Sequence, residues 1–583
     1  MKKNLVKVLT LALAAAMVAG MSAMAMPVSA LSDTDTQTIT VRDINKKDAG
    51  TATVKAYQIV KYNYSDPTNL YELTDIATAA GVTKVDDLKA DKIKAETVED
   101  LAKAVTSETT AYTLTKNATD DTVYETTVPG GLYLVIVTGD NALVYNPALV
   151  SVNINDKDEL TEGNVSMNDT RLAYDNGEVY VKSTEPKFNK DILKDGTGVE
   201  GDTVAYGDDV SFILNEMNIP SYSDAYTTVT YKIDDTLDAK AFKGVKNVQV
   251  YVGGTKDTDK VTAAAGTYTI TGVADDSTSF TVAFASDYIK AHAGQSVVVT
   301  YDSQFTSPTA INYSEHKNTA TLTYSNDPKD ASSTNEITDT TYHYTFGIDA
   351  DLDADEPNPD KNKDHNETYE LNKVTKAGAG WEKGTGTKAT GAAKDTTKSK
   401  ASLAGATFSL FTDENCENIL KIQQADGSMK DATDISDDNG HFSFVGLDQG
   451  IYYMKEVEPP KGYSRQDNTI YRINISATID TVSGVMTEYT ILTELKTGST
   501  YKEIGRATYK NNLKDVTFDE DYNVINSTIT VDPMNPVEIV NTPLAELPST
   551  GGEGTIALTV GGAIGMAGFL TLYIANKKKK KAE

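Results

Sequence analysis

The chain is poor in the residues that carry most protein chemistry. Its 583 residues include one cysteine, one tryptophan and five histidines. One cysteine cannot close an intrachain bridge, so a disulfide scaffold is excluded and a secreted form needs another means of resisting unfolding. Scattered histidines, and Cys416 alone in the loop-like stretch DENCENI, give no metal-ligand set and no nucleophile motif, which argues against an enzyme. Basic residues are also short. Against 84 Asp and Glu stand 54 Lys and Arg, for a net charge of −30. Such a surface repels nucleic-acid phosphates and suits extracellular solvent. What is plentiful is tyrosine, at 32, with threonine in most segments, a balance that favours strands. The length exceeds what one core can organise, so three or four domains are expected.

The two ends read as addresses. Residues 1–30, MKKNLVKVLTLALAAAMVAGMSAMAMPVSA, place Lys2, Lys3 and Lys7 before an apolar middle. The small-x-small run Val28-Ser29-Ala30 then predicts a cleaved signal peptide and a mature start near Leu31. At the other end, residues 554–576 carry no charge, long enough to span a bilayer, and residues 577–581 are all lysine. A plain anchor leaves LPSTG at 547–551 unexplained. Leu547, Pro548, Thr550 and Gly551 resemble the LPxTG cell-wall sorting signal of Gram-positive bacteria. That resemblance implies cleavage between Thr550 and Gly551 by a sortase, a cysteine transpeptidase, and transfer of the Thr550 carboxyl to an amine.

Between the ends, period-two alternation dominates, as in GTYTITGV, SFTVAFA and NTATLTYSND, with Gly, Asn-Asp and Pro as punctuation. The expected fold is mainly β: tandem Ig-like sandwiches, one helical stretch at 83–105 and a C-terminal transmembrane helix. Composition sets boundaries at 31–173, 174–346 and 347–542, with sorting signal, span and basic tail over 543–583. The acidic stretch 349–367 reads as a solvated linker, with calcium as the alternative; it lacks the glycine and bidentate Glu of an EF-hand loop. Residues 376–402, rich in Gly, Thr, Lys and Ala, read as a mobile loop.

Within 347–542 stand LNKVTK, LAGATFSLF, YYMKEVEPPKGY and PVEIVNTP. These resemble the Cna B-type domain of Gram-positive surface proteins, and the third stretch resembles its E-box. Tyr452, Met454, Glu456, Pro460, Gly462 and Tyr463 fill the E-box positions; Met454, Val457 and Pro459 replace the usual Leu, Thr and Ala. The resemblance implies an isopeptide bond from Lys373 to Asn541, with Glu456 as the acid. The chemistry suits those residue types. Burial makes the lysine a neutral, nucleophilic amine and keeps the acid protonated, able to polarise the amide and pass a proton to departing ammonia.

A related set, PKFNKDI, TVTYKIDDTLDA and HKNTATLTYSND, resembles the middle domain of backbone pilins, an A-type sandwich with an Asp as the acid. It implies Lys190, Asn318 and Asp235; strand parity decides between Asp235 and its neighbour Asp234. The first domain, with ATVKAYQIVKY and VPGGLYLVIVTG, resembles the N-terminal domain of the same proteins and shows no such trio.

Nearly the whole chain therefore resembles the backbone subunit of sortase-assembled pili. The implied partners are pilin-specific and housekeeping sortases, identical subunits head to tail, minor pilins, peptidoglycan and host surface ligands; no cofactor, metal or nucleic acid is implied. The acceptor amine by the same resemblance is Lys182. In YDNGEVYVKSTEPK, Val179, Tyr180 and Lys182 fit the pilin motif, Val181 stands where Pro is usual and no Trp precedes; Lys187 is the alternative. A monomeric wall-anchored adhesin is the competing function.

Overall fold

The computed structural model describes residues 36–62, 71–152, 177–306, 315–350, 371–375, 403–436, 442–466 and 468–510, with short stretches between 517 and 544. The signal peptide, most of the acidic stretch, the 376–402 insert, the LPSTG motif and the apolar segment 554–576 lie outside the described residues. Among the described residues no helix is long and apolar enough to cross a membrane.

The first unit pairs two sheets. One runs Glu178–Tyr180, Thr36–Arg42, Tyr124–Pro129 and Thr115–Lys116; the other runs Tyr71–Leu73, Thr53–Tyr62, Gly131–Thr138 and Ala148–Val152. Gly131–Thr138, GLYLVIVT, is apolar on both faces because both are covered. Tyr133, Val135 and Val137 meet the first sheet, while Leu132, Leu134 and Ile136 meet the helical side. Each such buried side chain contributes about 2 kcal/mol.

The helix expected at 83–105 forms only in its second half, Ala95–Ala104, after a 3-10 turn at Val85–Leu88. Leu88 and Ile93 are both buried in the cluster that includes Leu132 and Leu134. Five positions apart, they cannot share one face of a helix with 3.6 residues per turn, so the chain extends at Lys89 and buries both.

Residues 178–184, expected to open the second domain, pair instead with the first. Glu178–Tyr180 runs parallel to Thr36–Arg42, and Ser183–Thr184 pairs with Val144–Tyr145.

The second unit is a sandwich of two six-stranded sheets. Asn189–Lys194, Asp209–Asn218 and Ser296–Phe305 are neighbours in one; Thr334–Tyr344, His316–Ser325 and Tyr231–Leu237 are neighbours in the other. The third unit pairs a sheet ordered Phe442–Leu447, Phe346–Ala350, Leu371–Thr375, Val537–Asn541 with a seven-stranded sheet containing Gly450–Glu458. In that four-stranded sheet Leu371–Thr375 and Val537–Asn541 lie side by side and parallel.

The units are joined by specific polar contacts. Lys329 Nζ donates to Val105 O at 2.9 Å and also to Ala102 O, at the C-terminal end of the Ala95–Ala104 helix. Asn326 and Asn335 each donate from Nδ2 to Asn141 O, at 3.0 and 3.1 Å. On the other side Tyr206 N donates to Gly446 O at 3.0 Å. Gly446 has φ +83°, and a Cβ there would sit 2.2 Å from the Tyr206 ring, so this junction requires glycine.

Candidate isopeptide sites

Four strands of the second unit aim polar side chains into its core. In Asn189–Lys194 alternate burial turns Lys190 and Ile192 inward. In Tyr231–Leu237 the inward residues are Tyr231, Ile233, Asp235 and Leu237. Asp234 therefore faces outward, bonding Thr281 Oγ1 at 2.6 Å and Lys232 Nζ at 2.7 Å. Ser296–Phe305 supplies Tyr301, and His316–Ser325 supplies Asn318. Lys190, Asp235, Tyr301 and Asn318 are all 0–1% exposed.

Lys190 Nζ lies 2.6 Å from Asp235 Oδ2 and 2.8 Å from the Tyr301 hydroxyl. That hydroxyl donates to Asp235 Oδ1 at 2.9 Å and accepts from Asn318 Nδ2 at 2.6 Å. Asn318 Oδ1 has no hydrogen-bond partner among the described residues. Aromatic rings seal the cluster: Lys190 Nζ is 4.9 Å from the Phe212 centroid, which stacks on Tyr301 at 4.9 Å, and Phe280 packs 4.7 Å from Tyr301. Burial drives the lysine pKa down, against the opposing pull of Asp235, and drives the Asp235 carboxyl up, against the pull of Lys190. Both directions favour the uncharged forms, a neutral amine beside a neutral acid.

Across Phe212 from this cluster lies His343, fully buried, its ring 5.4 Å from Phe212 and 4.9 Å from Phe242. Neither ring nitrogen has a hydrogen-bond partner among the described residues, and burial holds its pKa down at about 3.

In the third unit Gly450–Glu458 turns Met454 and Glu456 inward. Asn541, fully buried at the end of the last strand, donates from Nδ2 to Glu456 Oε2 at 3.0 Å and to Ser464 O at 3.0 Å. Gly462 and Tyr463 belong to a turn closed by Tyr463 N on Pro460 O at 3.0 Å. That turn lies along the departing chain: Ser464 N donates to Thr542 O and Leu544 N to Gly462 O, both at 2.9 Å. The Pro, Gly and Tyr of the E-box thus hold the last strand where Asn541 meets Glu456. Lys373 is placed by its backbone: in the parallel register it is paired with Ile539, two residues before Asn541.

Lys182 follows Glu178–Tyr180 on the surface, its carbonyl accepting from Asn146 N at 3.0 Å, while the preceding Val181 is buried. Lys187 is also exposed, with its backbone N–H held by Asn218 Oδ1 at 2.9 Å. Leu547, Pro548, Thr550 and Gly551 lie outside the described residues. Two members of these sites escaped the sequence reading, Tyr301 and the Ser464 carbonyl. Alternation in SVVVTYDSQF puts Tyr301 inward with Val297 and Val299, but nothing local says which carboxyl it meets.

Two family models match. Residues 539–583 match the LPXTG cell wall anchor motif, and residues 389–490, which include Glu456, match a prealbumin-like fold domain. Over 480 residues the chain is 23% identical to the trypsin-resistant surface T6 protein of Streptococcus pyogenes serotype M6, covering 77% of this chain and 79% of that protein. Among solved structures, the T6 backbone pilin of S. pyogenes is 16% identical at TM-score 0.49, covering 88% of this chain and all of that one. The Corynebacterium diphtheriae major pilin SpaA is 15% identical at TM-score 0.37, covering 87% and 99%. The chain carries a cell-wall anchor motif at its C-terminal end, as a cell-wall-anchored surface protein does, and is similar over most of its length to the T6 surface protein.

Proposed function

We propose that the chain is the backbone subunit of a covalent pilus. A sortase cuts between Thr550 and Gly551 and joins Thr550 to Lys182 of the next subunit. Two intramolecular bonds, Lys190–Asn318 and Lys373–Asn541, close the second and third units. The observation that carries this reading is the buried Lys190, whose Nζ and the Asn318 amide nitrogen both lie within one hydrogen bond of the Tyr301 oxygen, beside Asp235. A lysine there has no solvent to stabilise its charge, and a neutral amine next to an amide is a nucleophile beside its electrophile. Attack on the Asn carbonyl carbon forms a C–N bond, the amide C–N bond breaks, and ammonia leaves. The Asn541–Glu456 contact supports the same reaction in the third unit, with Glu456 as the acid.

Joining Lys182 to Thr550 repeats one contact head to tail without closing, which gives a fibre. The exposure of Lys182 supports it as acceptor; Lys187, also exposed, is the runner-up. The test is an immunoblot of cell-wall extract boiled in SDS. Wild type should give a high-mass ladder and Lys182→Ala a monomer band. A ladder lost only with Lys187→Ala moves the acceptor role to that residue, and a single band in wild type refutes polymerisation and points to a monomeric adhesin.

A further inference from the structure

We propose that the Tyr301 hydroxyl is a catalytic group of the Lys190–Asn318 reaction, carrying a proton to the amide nitrogen that must leave. The inference rests on the isopeptide reading above and adds a fourth member to its site. Its starting point is a connection that is missing. Both Asp235 carboxyl oxygens are engaged, Oδ2 by Lys190 and Oδ1 by Tyr301, and neither bonds the Asn318 amide. From the acid to the amide the hydrogen-bonded route runs through Tyr301, 2.9 Å from one and 2.6 Å from the other. A hydroxyl has one donor and two acceptor sites. Here all three are in use, toward Asp235, Lys190 and Asn318. With all four side chains at most 1% exposed, bulk water offers no competing path.

The bookkeeping of the step closes on these groups. The neutral Lys190 amine attacks Asn318 Cγ, forming the new C–N bond, and the carbonyl π pair moves to Oδ1. The attacking nitrogen then holds one proton too many and passes it to Asp235 Oδ2. The Tyr301 hydroxyl, which donates to Asp235 Oδ1 at rest, turns its proton to Nδ2, and the proton already on the acid, then on Oδ1, follows to the Tyr301 oxygen. That nitrogen can accept it because, once the carbonyl is lost, its lone pair is no longer conjugated, so its hydrogen bond with Tyr301 reverses. The Oδ1 pair returns, the C–Nδ2 bond breaks and ammonia leaves. Asp235 finishes protonated on its other oxygen, and Tyr301 is unchanged. Burial keeps the Tyr301 phenol far above its ordinary pKa, so it remains O–H and relays protons without becoming a phenolate.

A purely structural tyrosine would act through its ring, which stacks on Phe212 and packs on Phe280. Tyr301→Phe keeps the ring and removes only the oxygen. The full chain is made by cell-free synthesis, sampled over time, digested with trypsin and analysed by mass for the peptide joining Lys190 to Asn318. Wild type should join, Asp235→Asn should not, and Tyr301→Phe should join about a hundredfold more slowly, in the range of one general acid–base contact. The Lys373–Asn541 peptide of the same molecules is the control and should form at the wild-type rate. Joining of Tyr301→Phe at the wild-type rate overturns the relay while leaving the isopeptide reading intact. Absence of the joined peptide in wild type overturns both. If Tyr301→Phe loses its cooperative melt, 3,5-difluorotyrosine at position 301 replaces it. That residue keeps the shape and changes the O–H acidity, so an altered joining rate supports the relay and an unaltered one overturns it.

Discussion

Replacing His343 with phenylalanine should make the second unit less sensitive to acid. The imidazole is fully buried with its pKa near 3, against an ordinary 6.5, because burial disfavours its charged form and outweighs an opposing hydrogen-bond contribution from His316. The sign follows from proton binding. Between those two values the unfolded chain takes up a proton that the folded unit refuses, so stability falls as pH falls. At pH 5 the unfolded imidazole is almost wholly charged and the folded one almost wholly neutral, which costs about 2 kcal/mol; at pH 7 the cost is about 0.2 kcal/mol. Phenylalanine suits the site, since the ring already packs on Phe212, Phe242 and Phe305. The assay is scanning calorimetry of the full chain, following the second-unit transition. From pH 7 to pH 5 the wild type should lose about 4–8 °C more in Tm than His343→Phe, at about 2–4 °C per kcal/mol for a unit of this size. Parallel losses in the two proteins would refute the reasoning.

Three further outcomes are expected. Asp235→Ala and Glu456→Ala should each leave the intact mass one ammonia heavier than wild type and melt their own unit earlier; a cross-link closing about 130 to 170 residues is worth about 5 kcal/mol. Thr550→Ala should stay in the membrane fraction and dissolve in detergent, whereas wild type should remain in the wall; detergent-soluble wild type would contradict the sorting reading. Lys329→Met should loosen the first from the second unit by about 1–3 kcal/mol, because it removes both carbonyl contacts at the end of the Ala95–Ala104 helix, and limited proteolysis between the units should quicken.

What the sequence made legible was chemistry tied to spacing along one strand. Glu456 and the Pro-Gly-Tyr turn lie within a few residues of each other, so the E-box pattern shows in the letters, and the structure brings that turn to the last strand. The Asp234/Asp235 alternative needed only parity, and the inward run Tyr231, Ile233, Asp235 supplies it. Tyr301 was hidden because its role depends on three other strands arriving around it, and nothing in SVVVTYDSQF encodes their register. Glu178–Tyr180 was misassigned for a similar reason: its partner is Thr36–Arg42, at the opposite end of the first unit, and composition carries no pairing. The helix at 83–105 was overdrawn because charge and Leu spacing suit a helix locally, whereas the shared core under Leu88 and Ile93 does not.

The position of Lys182 bears on how a pulled fibre would share its load. It follows the Glu178–Tyr180 strand, with only the two-residue Ser183–Thr184 strand of the first unit after it, and stands eight positions before Lys190. Under the proposed linkage a subunit is stretched between Lys182 and Thr550. Tension then enters after the first unit's two larger sheets and bypasses them, crossing only the short pairing of Ser183–Thr184 with Val144–Tyr145. Beyond Lys182 the force reaches Lys190, crosses by a side-chain bond to Asn318, runs along the backbone to Lys373 and crosses again to Asn541. The strands between each bonded pair would hang slack beside a nearly inextensible line.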